Sequence, residues 1–418
     1  MKNKKLKIAL FHNAGKGGAK RALYEFVRQL SLRGHSIDLF TFATSGEEEF
    51  LPLSGFIQKK FVFEIDNSVY IKLRPYILEI IYNFVRKLLF FSKLNHLSKK
   101  VAEQINNGDY DLAYIDLCLF TTSPFVLRYI NIPNVYFCHN PSKNKYEIAD
   151  GSDYKNANHN TSLTRKIYSS LCDFILNLDF LLLLKIDRIN TLKAKNIFTN
   201  SYFTKEYIFR NFGLHAKVVY LGVDTERFKP INIKKEGFVL SVGRLCQQKK
   251  FDFIINALSL IPKESRPELV IAGFNNSQPV KLSLIKLADQ KNVKLMLKEG
   301  INDEALLNLY NQASIMVFTP LMEPFGFVSL EAMACGTPVI GVREGGLRES
   351  IKDKETGILV DRDERELRDA IEALLENDGL RDTLSKKAKN DILVNWTWDK
   401  AGNRLEDNLF RAIGQLRN

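Results

Sequence analysis

SIMVFTPLMEPFGFVSLEAMACGTPVI, residues 314–340, reads as strand, turn, helix, turn, strand. SIMVFTP (314–320) is a short apolar run that ends at a proline. MEPFGFV (322–328) is a turn whose backbone amides are free, and SLEAMACG (329–336) is a short helix closed by Gly336. Gly336 and Pro338 serve the turn into the next strand. A helix that starts at the carboxyl edge of an α/β sheet offers unpaired N–H groups and the positive end of its dipole, so it is suited to an anion. Glu323 and Glu331 stand eight positions apart, so a turn carboxylate and a helix carboxylate can face one crevice. Carboxylates there suit hydrogen bonding to sugar or ribose hydroxyls.

Outward from this stretch the same alternation continues. FVLSVGR (238–244), ELVIAGF (268–274), VKLMLKEG (293–300) and TPVIGVREGG (337–346) are short apolar runs, most followed by a helix-period segment. In the first half, KIALFHNAG (7–15) leads into a glycine turn and a helical pattern over 19–33 that Gly34 ends. SIDLFTFA (36–43), DLAYIDL (111–117) and NVYFCHN (134–140) are further strands. Strands alternating with helices predict parallel sheets. A single core rarely grows past about 250–300 residues, so a chain of 418 holds two such sheets. The polar stretch around 213–235 is the seam.

Composition narrows the function classes. The hydrophobic fraction of 45% is ordinary for a globular protein, and no apolar run is long enough to read as a membrane span. The N-terminal lysines precede an apolar run of only Ile8 to Phe11, read as a strand and not as a leader. Five cysteines, with no C-x-x-C pair, suit a reducing cytoplasm better than a disulfide framework or structural zinc. A net charge of +12 favours anionic partners: nucleic acid, phosphorylated substrates or an acidic membrane face. The interleaved basic and aromatic pattern of an RNA-binding strand is absent from the sequence, so nucleic acid is not expected.

Two helical segments stand apart. Residues 69–91 place Leu73, Tyr76, Ile77, Ile80, Ile81, Phe84 and Leu88 on one stripe. From 70 to 100, Lys72, Arg74, Arg86, Lys87, Lys93, Lys99 and Lys100 face a single acid, Glu79. The stripe fits either a crossover helix packed on the first sheet or a basic amphipathic helix on a membrane surface. Residues 163–186 form a second apolar helix, expected to be buried.

These residues together resemble the large retaining glycosyltransferase family of the GT-B fold, the glycosyl transferases group 1. Glu323 to Glu331 looks like its Glu-x7-Glu signature. In order along the chain, Gly15 with Gly17–Gly18 resembles its glycine loop, Gly34–His35 the following turn, and TNSYFT (199–204) its Asn-Ser segment. VVYLGVDTERFKP (218–230), SVGRLCQQKKFD (241–252) and EGGLRESIKDKETGILV (344–360) resemble its interdomain, diphosphate-binding and Gly-Gly segments.

The resemblance implies an α/β GT-B architecture, two Rossmann-like domains with a cleft between them. Residues 1–215 would form the acceptor domain and 216–397 the donor domain, with a terminal helix over about 398–418 packing back on the first. It implies a donor that is a UDP- or GDP-linked sugar. Arg244 and Lys249 would contact its diphosphate, Glu331 its ribose, and Glu323 the sugar that moves; Phe325, Gly326 and Phe327 would offer backbone amides. Two fixed cations stabilise the charge that builds on a leaving diphosphate. Gly17 and Gly18 would let backbone approach the donor phosphate or the acceptor. His139 would touch the donor sugar, and Lys298 to Ile301 would border the nucleobase. Lys250 stands where many relatives carry glycine, and Asn140–Pro141 where many carry acidic or aromatic residues. No cofactor and no metal are expected. The expected partners are the nucleotide-sugar donor, a glycan or lipid-linked acceptor, and an anionic membrane surface. The expected place is the cytoplasm, peripheral on the inner face of the membrane.

Asp361-Arg362-Asp363 looks like a metal-binding D-x-D, but its position before a helix pattern reads as capping. GKGGAK (15–20) lacks the Ser or Thr of a phosphate loop, since Arg21 follows Lys20. A P-loop hydrolase, a silent glycan- or lipid-binding GT-B protein, and a phosphorylase or epimerase of similar fold remain the alternatives.

Overall fold

The structure is a computed structural model that describes residues 4–15, 17–43, 51–65, 76–141, 163–274 and 277–414. It divides into two compact units. Met1–Thr199, Thr204–Val219 and Gly402–Asn418 form the first; Asn200–Phe203 and Tyr220–Ala401 form the second.

The first unit is built on β1 (Lys7–Asn13), α1 (Gly18–Leu32), β2 (Ser36–Ala43), β3 (Lys59–Glu64), α2 (Tyr76–Asn106), β4 (Leu112–Cys118), β5 (Asn134–Phe137), α3 (Leu163–Thr191), β6 (Asn196–Thr199), α4 (Tyr202–Phe212) and β7 (Ala216–Val218). Its seven strands are parallel in the order β3-β2-β1-β4-β5-β6-β7. The chain winds outward from β1 to β3, then crosses back to place β4 beside β1. That reversal is the switch point of a doubly wound sheet, and ligands are taken up at the carboxyl ends of the strands that flank it. Strand side chains alternate between two faces. Ala9 and Phe11 pack with Phe90, Phe91, Leu94 and Val101 of α2 and with Ile186 of α3. On the opposite face, Phe137 meets Phe26 of α1, with ring centroids 5.4 Å apart. Each fully buried large apolar side chain of this kind contributes about 1.5–3 kcal/mol.

The second unit holds β8 (Val239–Arg244), α5 (Phe251–Ser259), β9 (Leu269–Phe274), α6 (Gln278–Gln290), β10 (Leu295–Glu299), α7 (Asp303–Gln312), β11 (Ile315–Phe318), α8 (Phe327–Ala334), β12 (Val339–Val342), α9 (Leu347–Ser350), β13 (Ile358–Val360), α10 (Glu364–Glu376) and α11 (Asp378–Asn395). Its six strands are parallel in the order β10-β9-β8-β11-β12-β13, with the switch between β8 and β11. β11 and β12 are buried along their whole length, as strands covered by helices on both faces must be.

The last helix, α12 (Trp398–Gly414), is shared by the division. Its residues from Gly402 belong to the first unit and lie on α1. A Cβ on Gly402 would stand 2.8 Å from Cβ of Gln29. His35 Nε2 is 2.9 Å from Glu406 Oε1.

The two unusual helices do not follow one rule. In α2, Ile80, Phe90 and Phe91 are buried, but Ile81 and Leu88 of the same proposed stripe are exposed, as are Leu78, Val85 and Leu89. Lys72, Leu73 and Arg74 lie outside the described residues. α3 corrects the expectation of burial: Leu171, Phe174 and Leu181 are 45%, 58% and 57% exposed. Cys172 is buried, and toward the C-terminal end Ile186 and Asp187 enter the core. Among the described residues no helix is long and apolar enough to cross a membrane.

Candidate active site

Arg244, Lys249, Glu323 and the start of the helix carrying Glu331 gather at the carboxyl ends of β8 and β11, the two strands of its switch point. β8 ends at Arg244, which is exposed. The chain then makes a tight 3-10 turn, Gln247–Lys249, and enters α5. The turn carries Lys249 back over the strand end, where a Cβ on Gly243 would stand 3.4 Å from its stem. Lys249 Nζ lies 2.7 Å from Glu323 Oε2 and 5.0 Å from the centre of the Phe318 ring. The two side chains are 17% and 22% exposed, so the pair is half-screened from water. Lys250 is left-handed, with φ 52° and ψ 43°. That backbone suits glycine, and lysine holds it under strain.

Glu323 is held by backbone. Gly345 has φ 57°, and a Cβ there would strike Glu323 O at 2.4 Å. Gly346 N–H donates to Glu323 O at 2.7 Å. The pair of glycines therefore lets one loop lie flat against the other. Arg362 ties the same loops from the far side. It donates from Nε and Nη2 to the two oxygens of Glu344, at 2.7 and 2.8 Å, and to the carbonyls of Thr319 and Pro320, each at 3.1 Å. Its neighbours carry structural duties: Asp363 accepts from the amides of Arg365 and Glu366 as the cap of α10, and Asp361 pairs with Arg343 at 3.3 Å.

α8 starts at Gly326, whose φ of 90° again requires glycine. Ser329 N–H in its first turn donates back to Gly326 O at 3.1 Å, while Phe327 and Val328 stand ahead of it at the dipole's positive end. Phe325 is buried, its ring 5.3 Å from that of Phe327 and 5.9 Å from that of Trp396. Glu331 lies one turn further in and is buried. Tyr310, buried on α7, donates its hydroxyl to Glu331 Oε2 at 2.8 Å. Lys298 to Ile301 close β10 at the sheet's edge, apart from the switch point. Burial raises the thiol of Cys335, at the end of α8, to about 12, so it stays protonated at neutral pH.

The first unit repeats the pattern. Gly17 caps α1 beyond β1, and a Cβ there would meet nothing within 4 Å. Gly18 is the first residue of that helix. His139 follows β5 and is nearly buried, with Nε2 3.1 Å from Asp116 Oδ2. Asp116 is fully buried on β4, the strand beside β1. A pocket of about 160 Å³ at the ends of β1 and β2 is lined by His12, Lys20, Thr41 and Lys60 among others. The sequence reading missed Tyr310 and Asp116, because each becomes visible only through its partner across the fold. Arg362 could have been singled out, since it sits in a run already weighed for metal binding.

A model of the glycosyl transferases group 1 matches residues 223–391, and a model of glycosyltransferase family 4 matches residues 16–227. An uncharacterized glycosyltransferase of Methanocaldococcus jannaschii is 30% identical over 234 residues, 51% of this chain and 59% of that protein. A D-inositol 3-phosphate glycosyltransferase of Xylanimonas cellulosilytica is 33% identical over 173 residues, 40% of this chain and 41% of that protein. The chain thus spans about half the length of the curated relatives it matches. Among solved structures, sucrose-phosphate synthase from Thermosynechococcus elongatus superposes with a TM-score of 0.73 at 20% identity, covering 98% of this chain and 100% of that one. HepE of Anabaena, solved with UDP, gives 0.69 at 18% identity, covering 97% and 100%. At such identities the likeness speaks for the fold. Two parallel doubly wound sheets, a family 4 match over residues 16–227 and a group 1 match over residues 223–391 lead to one conclusion: the chain belongs to glycosyltransferase family 4, carries a group 1 segment in its second half, and has the two-domain, Rossmann-like GT-B fold.

Proposed function

We propose that the protein transfers a sugar, with retention of anomeric configuration, from a UDP- or GDP-linked donor to an acceptor hydroxyl. The observation that carries this is the Lys249–Glu323 pair at the β8/β11 switch point, with Arg244 beside it and the start of α8 following at once. A diphosphate offers negative charge to Arg244 and a second anionic partner to Lys249, and a sugar hydroxyl offers Glu323 a donor in exchange for the lysine. The amides from Phe325 to Phe327, leading into α8, serve the phosphates or the sugar. Glu331, which accepts from Tyr310, serves the ribose. His139, braced by Asp116, serves the sugar, and Gly17–Gly18 leave the backbone before α1 open to phosphate or acceptor.

In the proposed step the acceptor oxygen bonds to the anomeric carbon from the face the diphosphate leaves. The bond from that carbon to the diphosphate oxygen breaks, and the acceptor's proton passes to the departing phosphate. Cations and helix amides take the leaving charge, so no metal is required. HepE is named in its structure with UDP and with UDP-glucose, which favours a uridine donor. The acceptor is proposed as a lipid-linked glycan, glycolipid or cell-surface polysaccharide precursor. What favours a lipid is the exposed apolar surface of α2 and α3.

The test is product analysis by NMR after incubation with UDP- and GDP-sugars and candidate acceptors, with and without EDTA. The expected product keeps the donor's anomeric configuration, and EDTA leaves the yield unchanged. An inverted product rejects retention, and loss of yield restored by magnesium or manganese rejects metal independence.

A further inference from the structure

We infer that α2 and α3 together form one docking face for an anionic bilayer. In α3 the exposed residues Leu171, Phe174, Leu178 and Leu181 follow a 3-4-3 spacing, which is a single helical stripe about 15 Å long at the usual rise per residue. In α2 the exposed residues Leu78, Ile81, Val85 and Leu88 follow the same spacing. The two helices pack on each other and are joined by an ion pair, Lys87 Nζ to Asp179 Oδ2 at 2.7 Å. They are not short of core contacts: α2 buries Phe90, Phe91 and Leu94, and α3 buries Cys172 and Ile186. The second stripe on each is surplus to the fold. Water-facing helix surfaces are normally polar, and adjacent apolar stripes of this size mark an interaction surface.

Charge selects the occupant. The two helices carry nine Lys or Arg against five Asp or Glu. Of the acids, Asp179 is engaged by Lys87, and Asp187 is buried, accepting from the amide of Ser123. Lys99 pairs with Glu103 at 4.0 Å, and Lys93, Lys100 and Lys185 remain exposed. A second copy placed face to face would bring two such basic rims together, whereas an anionic lipid surface complements them and takes the apolar stripes below the headgroups. This proposal rests on the glycosyl-transfer reading only in making the docked lipid an acceptor; the docking stands on the face itself.

Co-sedimentation with vesicles of phosphatidylglycerol and phosphatidylcholine is the test, with pure phosphatidylcholine as control. The wild type is expected to bind the anionic vesicles at low salt and to release as salt rises. Phe174→Ser with Leu181→Ser should weaken binding by about tenfold or more, since both are water-exposed and their loss costs the fold little. Arg86→Glu with Lys93→Glu is an independent variant expected to weaken binding by a similar factor, about tenfold. Binding by the wild type that neither variant weakens would overturn the proposal, as would no binding at low salt. So would a dimer in solution, seen by light scattering without vesicles and abolished by the serine variant. UDP and GDP thermal shifts on the same samples keep the two readings apart. Vesicle binding without any nucleotide shift would sink the donor assignment and leave the docking face standing.

Discussion

At the scale of single residues, Lys250 holds a tight turn in a backbone conformation that suits glycine. The turn after β8 must reverse sharply to bring Lys249 over Gly243, and it does so through one left-handed residue. Glycine is indifferent to that conformation, whereas a side chain is not. Lys250→Gly is therefore expected to raise stability by about 0.5–1 kcal/mol, the strain removed less the entropy that glycine adds to the unfolded chain. A urea denaturation midpoint above wild type checks this, and a lower midpoint would mean that the lysine side chain holds the turn. The lysine at this turn was legible in the sequence, but its left-handed backbone was not. The Lys249–Glu323 contact was not legible either, because their separation in sequence says nothing of the 2.7 Å between them.

At the scale of elements, most of the second sheet could be read directly. Its central strands are runs of apolar residues such as IMVF (315–318), buried on both faces, and their pattern survives any detail of packing. The missed strands, β3, β6, β7 and β13, are edge or near-edge pieces, and three of them are only three or four residues long. A segment that short gains its shape from a neighbour rather than from its own periodicity. α3 was misjudged for a related reason: composition alone cannot separate an apolar helix facing a core from one facing outward. The Gly345–Gly346 loop was recognised as a motif, yet its purpose lies in contact with Glu323. Gly345→Ala should force that loop from its seat, because φ 57° and a 2.4 Å clash with backbone cannot both be relieved locally. The expected result is a melting temperature several degrees lower, corresponding to about 1–3 kcal/mol, together with loss of the thermal shift given by the nucleotide that stabilises the wild type. An intact shift in this variant would show that the loop does not position the donor site.

At the scale of the whole molecule, length and alternation were enough to foresee two parallel α/β sheets. Both switch points then fell where glycines or cations had already been noted: Gly17 and Gly18 after β1, Arg244 and Lys249 after β8. What composition could not do was assign the excess positive charge to a place on the fold. The claim on which the rest depends is that a nucleoside diphosphate is held by Arg244 and Lys249. Calorimetric titration of UDP and of GDP into the wild type, Arg244→Ala and Lys249→Ala tests it most directly. The wild type should bind one of the two nucleotides, and each variant should bind it about 10–100-fold more weakly, as expected when a charge-assisted contact to phosphate is lost. Wild-type affinity in both variants, or no binding of either nucleotide to the wild type, would contradict the account.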